Sequence, residues 1–329
     1  MNATAAFTHP RILHLAQVCV DLTVSIDHLP ERGGDVFATK HGMSAGGGYN
    51  VLYAIRRMGA PAVYMGAIGT GPMADVARHA LVDIGVETAG AVLPDVDTGY
   101  SVAMTEPDGE RTFVSTRGAE TMVPADCYED IELADGDVVY LCGYSLMHQS
   151  NTEAIMRFAQ RHAGWHSGHV VFDASPVIDQ IDMDSLETIR ALSPIWTVNE
   201  REAMILCDRF GLSGDRTGDD ERSRLLAMHL AAPVIVRVGP NGAWYCDGRA
   251  DANDGPSEPL HVPALKVCPL DTNGAGDTHA GVLCVALLEG LSIEEGLRLA
   301  NCAAGLSTTV AGPATCPERS VIETAVASL

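Results

Sequence analysis

The chain has 329 residues, 47% of them apolar and 19% charged, a composition that forms a core and excludes a disordered or fibrous protein. Its formal net charge of −22 argues against nucleic acid and anionic membrane surfaces as partners, since both demand a basic face. The longest apolar runs, such as Val282 to Leu288, fall short of the roughly 20 residues that cross a bilayer, and Met1 to Pro10 has neither a basic region nor an apolar core, so no secretory signal is expected.

In chain order, Ile12 to Val18 reads as a buried strand, Asn50 to Met58 as a helix stopped by Gly59, Ala62 to Ile68 as a second strand and Met73 to Ile84 as a helix ending at Gly85. Two stretches interrupt this alternation. Leu22 to Ser44 carries Pro30, Gly33 and Gly34 among short β-like runs, and Thr98 to Thr116 reads as a hairpin turning at Pro107-Asp-Gly109. Both are expected to project from the body as a small sheet. From Asp137 onward strands are predicted at Val138 to Cys142, Val170 to Asp173, Ile195 to Val198, Val234 to Val238 and Gly242 to Cys246. Helices fit Thr152 to His162, Glu200 to Phe210, Arg222 to Leu230, Ala275 to Glu289 and Ile293 to Val310, with a polar, loop-like tract from Gly248 to Pro259. The sum is an α/β protein: one three-layer domain over residues 1–329, with a central, mostly parallel sheet, a small β-sheet lid, and neither internal repeat nor linker.

The nine cysteines are odd in number, form no CxxC pair and sit mostly in apolar stretches, which suits a reducing, cytoplasmic setting without disulfides. Only two of the 21 basic residues are lysines, Lys40 and Lys266. No Gly-Lys dipeptide occurs, so there is no P-loop, and neither lysine lies in the strand context that a protein kinase requires. HExxH is absent, and His162, His166 and His169 are interrupted by Gly164 and Gly168, which reads as a helix end passing into a loop. Gly66-Ala-Ile-Gly-Thr-Gly71 has the wrong glycine order for a dinucleotide loop and reads as a strand-to-helix turn.

The most informative segment is Asp271-Thr-Asn-Gly-Ala-Gly-Asp277, followed by an apolar helix. Gly274 and Gly276, flanking Ala275, allow a tight turn whose backbone N–H groups converge at a helix N-terminus, where the dipole favours an anion. A transferring phosphoryl group needs such fixed donors, and Asp277 at the end of the turn is placed to take the proton of an attacking hydroxyl. Read alone, the carboxylate could equally cap the helix. Ala45-Gly46-Gly47-Gly48-Tyr49-Asn50 also opens a helix; its glycines admit a ligand to the backbone, and Asn50 offers a donor and an acceptor to a sugar hydroxyl, while Asp21 suits a diol. In Thr197-Val-Asn199-Glu200-Arg201-Glu202, Glu202 can hold Mg²⁺ through water, or Asn199 and Glu202 can simply cap the helix.

In their order and spacing these segments resemble the ribokinase-like (PfkB) carbohydrate kinases over nearly the whole chain. The resemblance implies a ribokinase-like fold, ATP and Mg²⁺ as cofactors, Asp277 as base and the Gly274 to Gly276 amides as anion hole. It implies further that Asn199 and Glu202 act around Mg²⁺ and the phosphates, that Val236-Arg237-Val-Gly239-Pro-Asn-Gly242 is the nucleotide loop, and that Asn301 lies where adenine is often contacted. Asp21, Gly46, Gly47 and Asn50 match sugar-binding positions, and Leu22 to Ser44 with Thr98 to Arg117 match the lid. Several relatives bind a monovalent cation such as K⁺ beside the anion hole; Asp271 and Asn273, with carbonyls near Thr308 to Gly312, are the corresponding positions. Cys19 and Gly47 stand where ribokinases proper carry Asn and Lys, and Leu52 and Val282 replace small residues, departures that bear on the substrate. Arg117 is placed to meet an acidic or phosphorylated group, or else faces solvent. The expected reaction is phosphorylation of a hydroxymethyl group on a small, sugar-like substrate, with a nucleoside as the alternative acceptor and a non-catalytic nucleotide or sugar sensor as the alternative from another class. A homodimer formed through the lid is the expected assembly.

Overall fold

The computed structural model describes residues 10–212, 218–249 and 257–328, so the predictions for residues 1–9 and for 250–256 of the polar tract lie outside the described residues. The chain opens with β1 (Ile12–His14), leaves the body for the lid strands β2 (Val18–Ser25) and β3 (Lys40–Gly47), and returns through α1 (Gly48–Arg57). β4 (Ala62–Tyr64), α2 (Pro72–Asp83) and β5 (Glu87–Thr88) follow, and β6 (Tyr100–Thr105) with β7 (Arg111–Ser115) completes the lid. The second half runs β8 (Val138–Cys142), α3 (Gln149–Arg161), β9 (His169–Asp173), α4 (Met183–Arg190), β10 (Ile195–Asn199), α5 (Glu200–Phe210), α6 (Asp219–Leu230) and β11 (Pro233–Arg237). It ends with β12 (Ala243–Asp247), β13 (Leu260–Val262), α7 (Ala275–Leu288), α8 (Ile293–Ser307) and α9 (Arg319–Val326).

The nine-stranded sheet has the order β13-β12-β11-β10-β9-β8-β1-β4-β5. It is parallel except at β11–β12 and β12–β13. Its central strands are apolar without interruption because both faces are covered. Along β8, Val138, Tyr140 and Cys142 enter the core beneath α1, α7 and α8, while Val139 and Leu141 enter the core beneath α3 to α6. This alternation makes the three layers. α7 is the central helix, buried from Thr278 to Leu287. A Cβ on Gly281 would lie 2.7 Å from Ala54 Cβ and 2.7 Å from the Val51 carbonyl, so glycine is what lets α1 cross α7 closely.

The lid is a separate four-stranded sheet, β3-β2-β6-β7. Register fixes its faces: Ser44, Asp21, Ser101 and Ser115 form one row, and Lys40, Ser25, Thr105 and Arg111 form another on the same face. The opposite face carries the apolar row Met43, Leu22, Val102 and Val114.

Three features differ from the sequence expectation. Ile12 to Val18 is one apolar run but belongs to two sheets, because periodicity does not report which partner a strand finds. The lid extends through Gly47, since β2 pairs with the glycines as far as Val18–Gly47. The short elements α4, α9, β5 and β13 carry too few turns or residues for a clear period; α4 is announced only by Asp182, whose carboxylate accepts from the Ser185 N–H at 2.8 Å. The histidine cluster resolves as expected: His162 caps α3, and His169 begins β9.

Candidate active site

The turn before α7 is built around Gly274, which adopts φ 72° and whose Cβ would lie 1.9 Å from the Pro313 carbonyl oxygen. Only glycine meets both conditions. A Cβ on Gly276 would approach Arg237 Nη1 to 3.2 Å. Among the described residues the N–H groups of Gly274, Gly276 and Asp277 have no partner within the chain, as the first turn of a helix requires. Ala275 is the first helical residue between them. These donors and the dipole of α7 form a preorganised anion site.

Asp277 lies in the first turn of α7, and its Oδ2 accepts a 2.9 Å hydrogen bond from Asn50 Nδ2 on α1, 227 residues away. Burial pushes its pKa up to about 6; the Asn50 bond opposes this, the charges of Asp173 and Asp21 add to it, and Arg237 offsets them. A carboxylate so tuned is ionised at neutral pH yet basic enough to accept a proton. Asn50 is buried, and its Oδ1 has no partner among the described residues.

The glycine loop has structural reasons beyond ligand access. A Cβ on Gly46 would meet Asp21 Oδ2 at 2.0 Å, Gly47 adopts φ 61°, and a Cβ on Gly48 would lie 2.4 Å from the buried His14 ring. Gly46 therefore makes room for the Asp21 carboxylate, whose pKa burial raises. Gly46 lies against Asp21, Asn50 bonds Asp277, and the Asp21 charge is felt at Asp277, so these residues of lid and body lie near one another. Arg117 does not join them by any contact: it is exposed and carries no hydrogen bond or ion pair among the described residues. Its charge lowers the pKa of half-buried His148, after the larger effect of burial.

Several predicted nucleotide residues have their side chains spent inside the protein. Asn199 and Glu202 form a capping box at α5, with Asn199 Nδ2 to Glu202 Oε1 at 2.7 Å and the Asn199 N–H to Glu202 Oε2 at 2.8 Å. Arg237 faces two carboxylates and a backbone carbonyl of the protein. Its Nη1 lies 2.9 Å from Asp173 Oδ2 and 3.3 Å from the Gly276 carbonyl, and its Nη2 lies 3.5 Å from Glu202. Asn301 also departs from expectation: it is buried, receives His279 Nε2 at 3.1 Å and donates to the Val262 carbonyl at 2.8 Å, tying α8 to α7 and β13. Gly239 and Gly242 shape the β11–β12 connection through φ 52° and 95°, and a Cβ on Gly242 would strike the Val262 carbonyl at 2.1 Å.

Asp173 is a member of this charged cluster that sequence reasoning missed. It closes β9 and is buried where one guanidinium balances two carboxylates. An acid ending an apolar strand of a parallel sheet was the available signal, since sites in such folds collect at strand C-termini. Arg111, on β7, was also missed as a partner of the site. Its Nη2 reaches Asp271 Oδ1 at 2.6 Å.

Asp271, expected with Asn273 beside a monovalent cation, accepts three hydrogen bonds from the protein. Asp271 Oδ1 accepts from Arg111 and from the Asn273 N–H at 3.0 Å, and Oδ2 accepts from the Gly312 N–H at 3.0 Å. The Thr308 carbonyl accepts from the N–H groups of Leu270 and Asp271.

The pfkB family carbohydrate kinase model matches residues 17–319. The chain belongs to this family. Among relatives of this kinase, the uncharacterized sugar kinase YegV of Escherichia coli (strain K12) is 28% identical over 302 residues, covering 90% of this chain and 88% of that one. Ribokinase of Arabidopsis thaliana, solved with ribose and ATP, shares the fold with a TM-score of 0.72 at 23% identity, covering 97% and 99% of the two chains. A nucleoside kinase of Burkholderia thailandensis, solved with inosine, does so with a TM-score of 0.74 at 19% identity, covering 96% of each. The family membership makes the chain a sugar kinase.

The cluster under the kinase's anion site makes a prediction about stability. Arg237→Met leaves Asp173 and Glu202 buried without their counter-charge, a change that costs about 3–5 kcal/mol. Burial and the Asp173 charge already raise the Glu202 pKa, and loss of Arg237 removes what opposes that rise, so protonating Glu202 relieves part of the deficit, which is larger at about pH 8 than at about pH 5. Urea denaturation at the two pH values measures it.

Proposed function

We propose that this kinase transfers the γ-phosphoryl group of ATP to a primary hydroxyl of a sugar or sugar-like substrate, with Asp277 as general base and the 274–277 turn as anion hole. The observation that carries the reading is Asp277 itself: one carboxylate lies among the unpaired first-turn amides of α7 and is bonded to Asn50 of the glycine loop. As the acceptor oxygen attacks, its proton passes to Asp277, the new O–P bond forms and the bond to the β-phosphate oxygen breaks, leaving ADP. The Gly274, Gly276 and Asp277 amides donate to the charge that develops on the transferring group.

The residues present suit Mg²⁺. Asp173, Glu202 and Asp277 lie within electrostatic reach of one another with Arg237 as their shared guanidinium, which leaves an excess of negative charge for a cation to offset. Asp173 and Glu202, already engaged by Arg237 and the Asn199 cap, would not ligate the ion directly but would hold it through water, as Mg²⁺ prefers. When bound, it would neutralise charge on the β- and γ-phosphates.

On the acceptor side, Asp21 and the unpartnered Asn50 Oδ1 offer acceptors to neighbouring hydroxyls, which supports a polyol or sugar. Arg117, exposed and without a hydrogen bond or ion pair among the described residues, is the cation offered to an acidic or phosphorylated group on the acceptor. The half-exposed Tyr144 ring, whose pKa rises to about 12 through burial first and then the charges of Cys142 and Asp277, offers a face for a base and supports a nucleoside as the second reading. The lid would close over the acceptor to exclude water. Its outer apolar row, with Met43 and Val114 each more than half exposed, supports pairing with the lid of a second copy. Sedimentation at micromolar concentration tests that pairing: a dimer that Val114→Glu dissociates is expected, and a monomeric wild type contradicts it.

ADP release with Mg-ATP across neutral sugars, sugar acids, sugar phosphates and nucleosides tests the function. At least one acceptor turns over, and Asp277→Asn lowers kcat by about 10²-fold or more, the usual contribution of a general base. Arg117→Ala raises KM for acidic acceptors and leaves neutral ones unchanged. A mutant Asp277→Asn as active as wild type on a good substrate contradicts the assignment.

A further inference from the structure

The lid is joined to the phosphoryl-transfer turn by one ion pair, Arg111–Asp271, and no other ion pair links the lid strands to the body among the described residues. Arg111 opens β7 and projects from the lid face that also carries Asp21. Asp271 is the first residue of the seven-residue turn that ends at Asp277. Both side chains are largely sheltered, at 29% and 17% exposure, so solvent screens this pair less than a surface bridge.

The position is the one where the family's pattern would put a monovalent cation, and here the Arg111 guanidinium already lies on the Asp271 carboxylate. Both Asp271 oxygens already accept hydrogen bonds, and the Thr308 carbonyl is taken by two N–H groups. A cation bound to the same carboxylate would lie against a fixed guanidinium of like charge. Although partial burial acts to raise the Asp271 pKa, the N–H groups of Asn273 and Gly312 and the Arg111 guanidinium hold it below the usual carboxylate range.

We propose that Arg111 is a positioning residue that stands in for the monovalent cation, so that the anion-hole turn is organised by closure of the lid instead of by a free ion. Lid closure then delivers two things at once: the roof over the acceptor and the positive charge that braces Asp271 at the start of the turn. The inference rests on the proposed reaction for its catalytic consequence but not for its physical basis, so its test has a readout independent of turnover.

The experiment compares thermal midpoints of wild type and Arg111→Met in buffers whose only monovalent cation is K⁺ or tetramethylammonium, with kcat measured in parallel on an active acceptor in the same buffers supplemented with Mg-ATP. Wild type is expected to show the same midpoint and the same kcat in both. Arg111→Met is expected to melt several degrees lower and to lose about tenfold or more in kcat in tetramethylammonium. K⁺ should restore part of both losses by binding the vacated carboxylate, and Arg111→Lys should behave as wild type. A wild type stabilised by K⁺, or an Arg111→Met variant that gains nothing from it, overturns the proposal. If no acceptor is turned over, the midpoints still decide the role of Arg111, and it is the proposed reaction that fails. Should Arg111→Met not fold, the cation response of wild type and of Arg111→Lys still decides, with K⁺ stabilisation of either overturning the proposal.

Discussion

The hydrogen bond between Asn50 and Asp277 is the constraint around which the site is arranged. It joins the first turns of α1 and α7, and with them the glycine loop that continues the lid and the turn that gathers the anion-site amides. Two helix N-termini can meet at hydrogen-bond distance only if their axes come close, and Gly281 against Ala54 and Val51 permits that approach. The central, fully buried α7 supplies rigidity to the same point. Core packing therefore sets the distance between the Asp277 carboxylate and the glycine loop. Asn50 spends its donor on the base and keeps its buried oxygen unpaired.

A second theme is how a chain of net charge −22 assembles a place for polyphosphate. It does so with few free cations. The positive ends of helices and the N–H groups of the 274–277 turn do the local work, while Arg237 is committed to Asp173 and Glu202 beneath it. The cluster remains short of positive charge, which raises the Glu202 pKa through burial and the Asp173 charge and contributes to the raised Asp277 pKa. Electrostatic tension of this kind is what makes the base useful near neutrality and what gives a divalent cation a reason to bind. Arg111 performs a similar balancing act at the outer end of the turn, from a different sheet.

Much of this was legible in the residues, and the rest was not for identifiable reasons. The Asp271 to Asp277 turn and the Gly46 to Asn50 loop are contiguous, and their chemistry follows from local conformation: glycines for positive φ and close approach, and a helix N-terminus for anions. The alternation of long apolar strands and helices gave the layers for the same reason. Asn301 and Arg237 look like ligand-facing residues in the sequence, but their partners, Val262, His279 and Asp173, come from other strands and helices, and only the fold shows these contacts. Likewise Arg111 and Asp271 are 160 residues apart, and no periodicity connects them. Gly46 of β3 makes room for Asp21 and Gly48 of α1 for the His14 ring, neighbours that the local sequence does not announce.

The central claim is that Asp277 accepts the proton and that Asn50 sets its basicity. The pH dependence of kcat/KM for wild type and Asn50→Ala tests it most directly, because the position of the limb reports the free enzyme's base whatever happens to affinity. Wild type should rise with pH to a plateau above a limb near 6. Removing the Asn50 hydrogen bond, which favours the charged carboxylate, should move that limb upward. A wild-type profile flat from about pH 5 to 8, or a limb that Asn50→Ala leaves in place, would contradict the account.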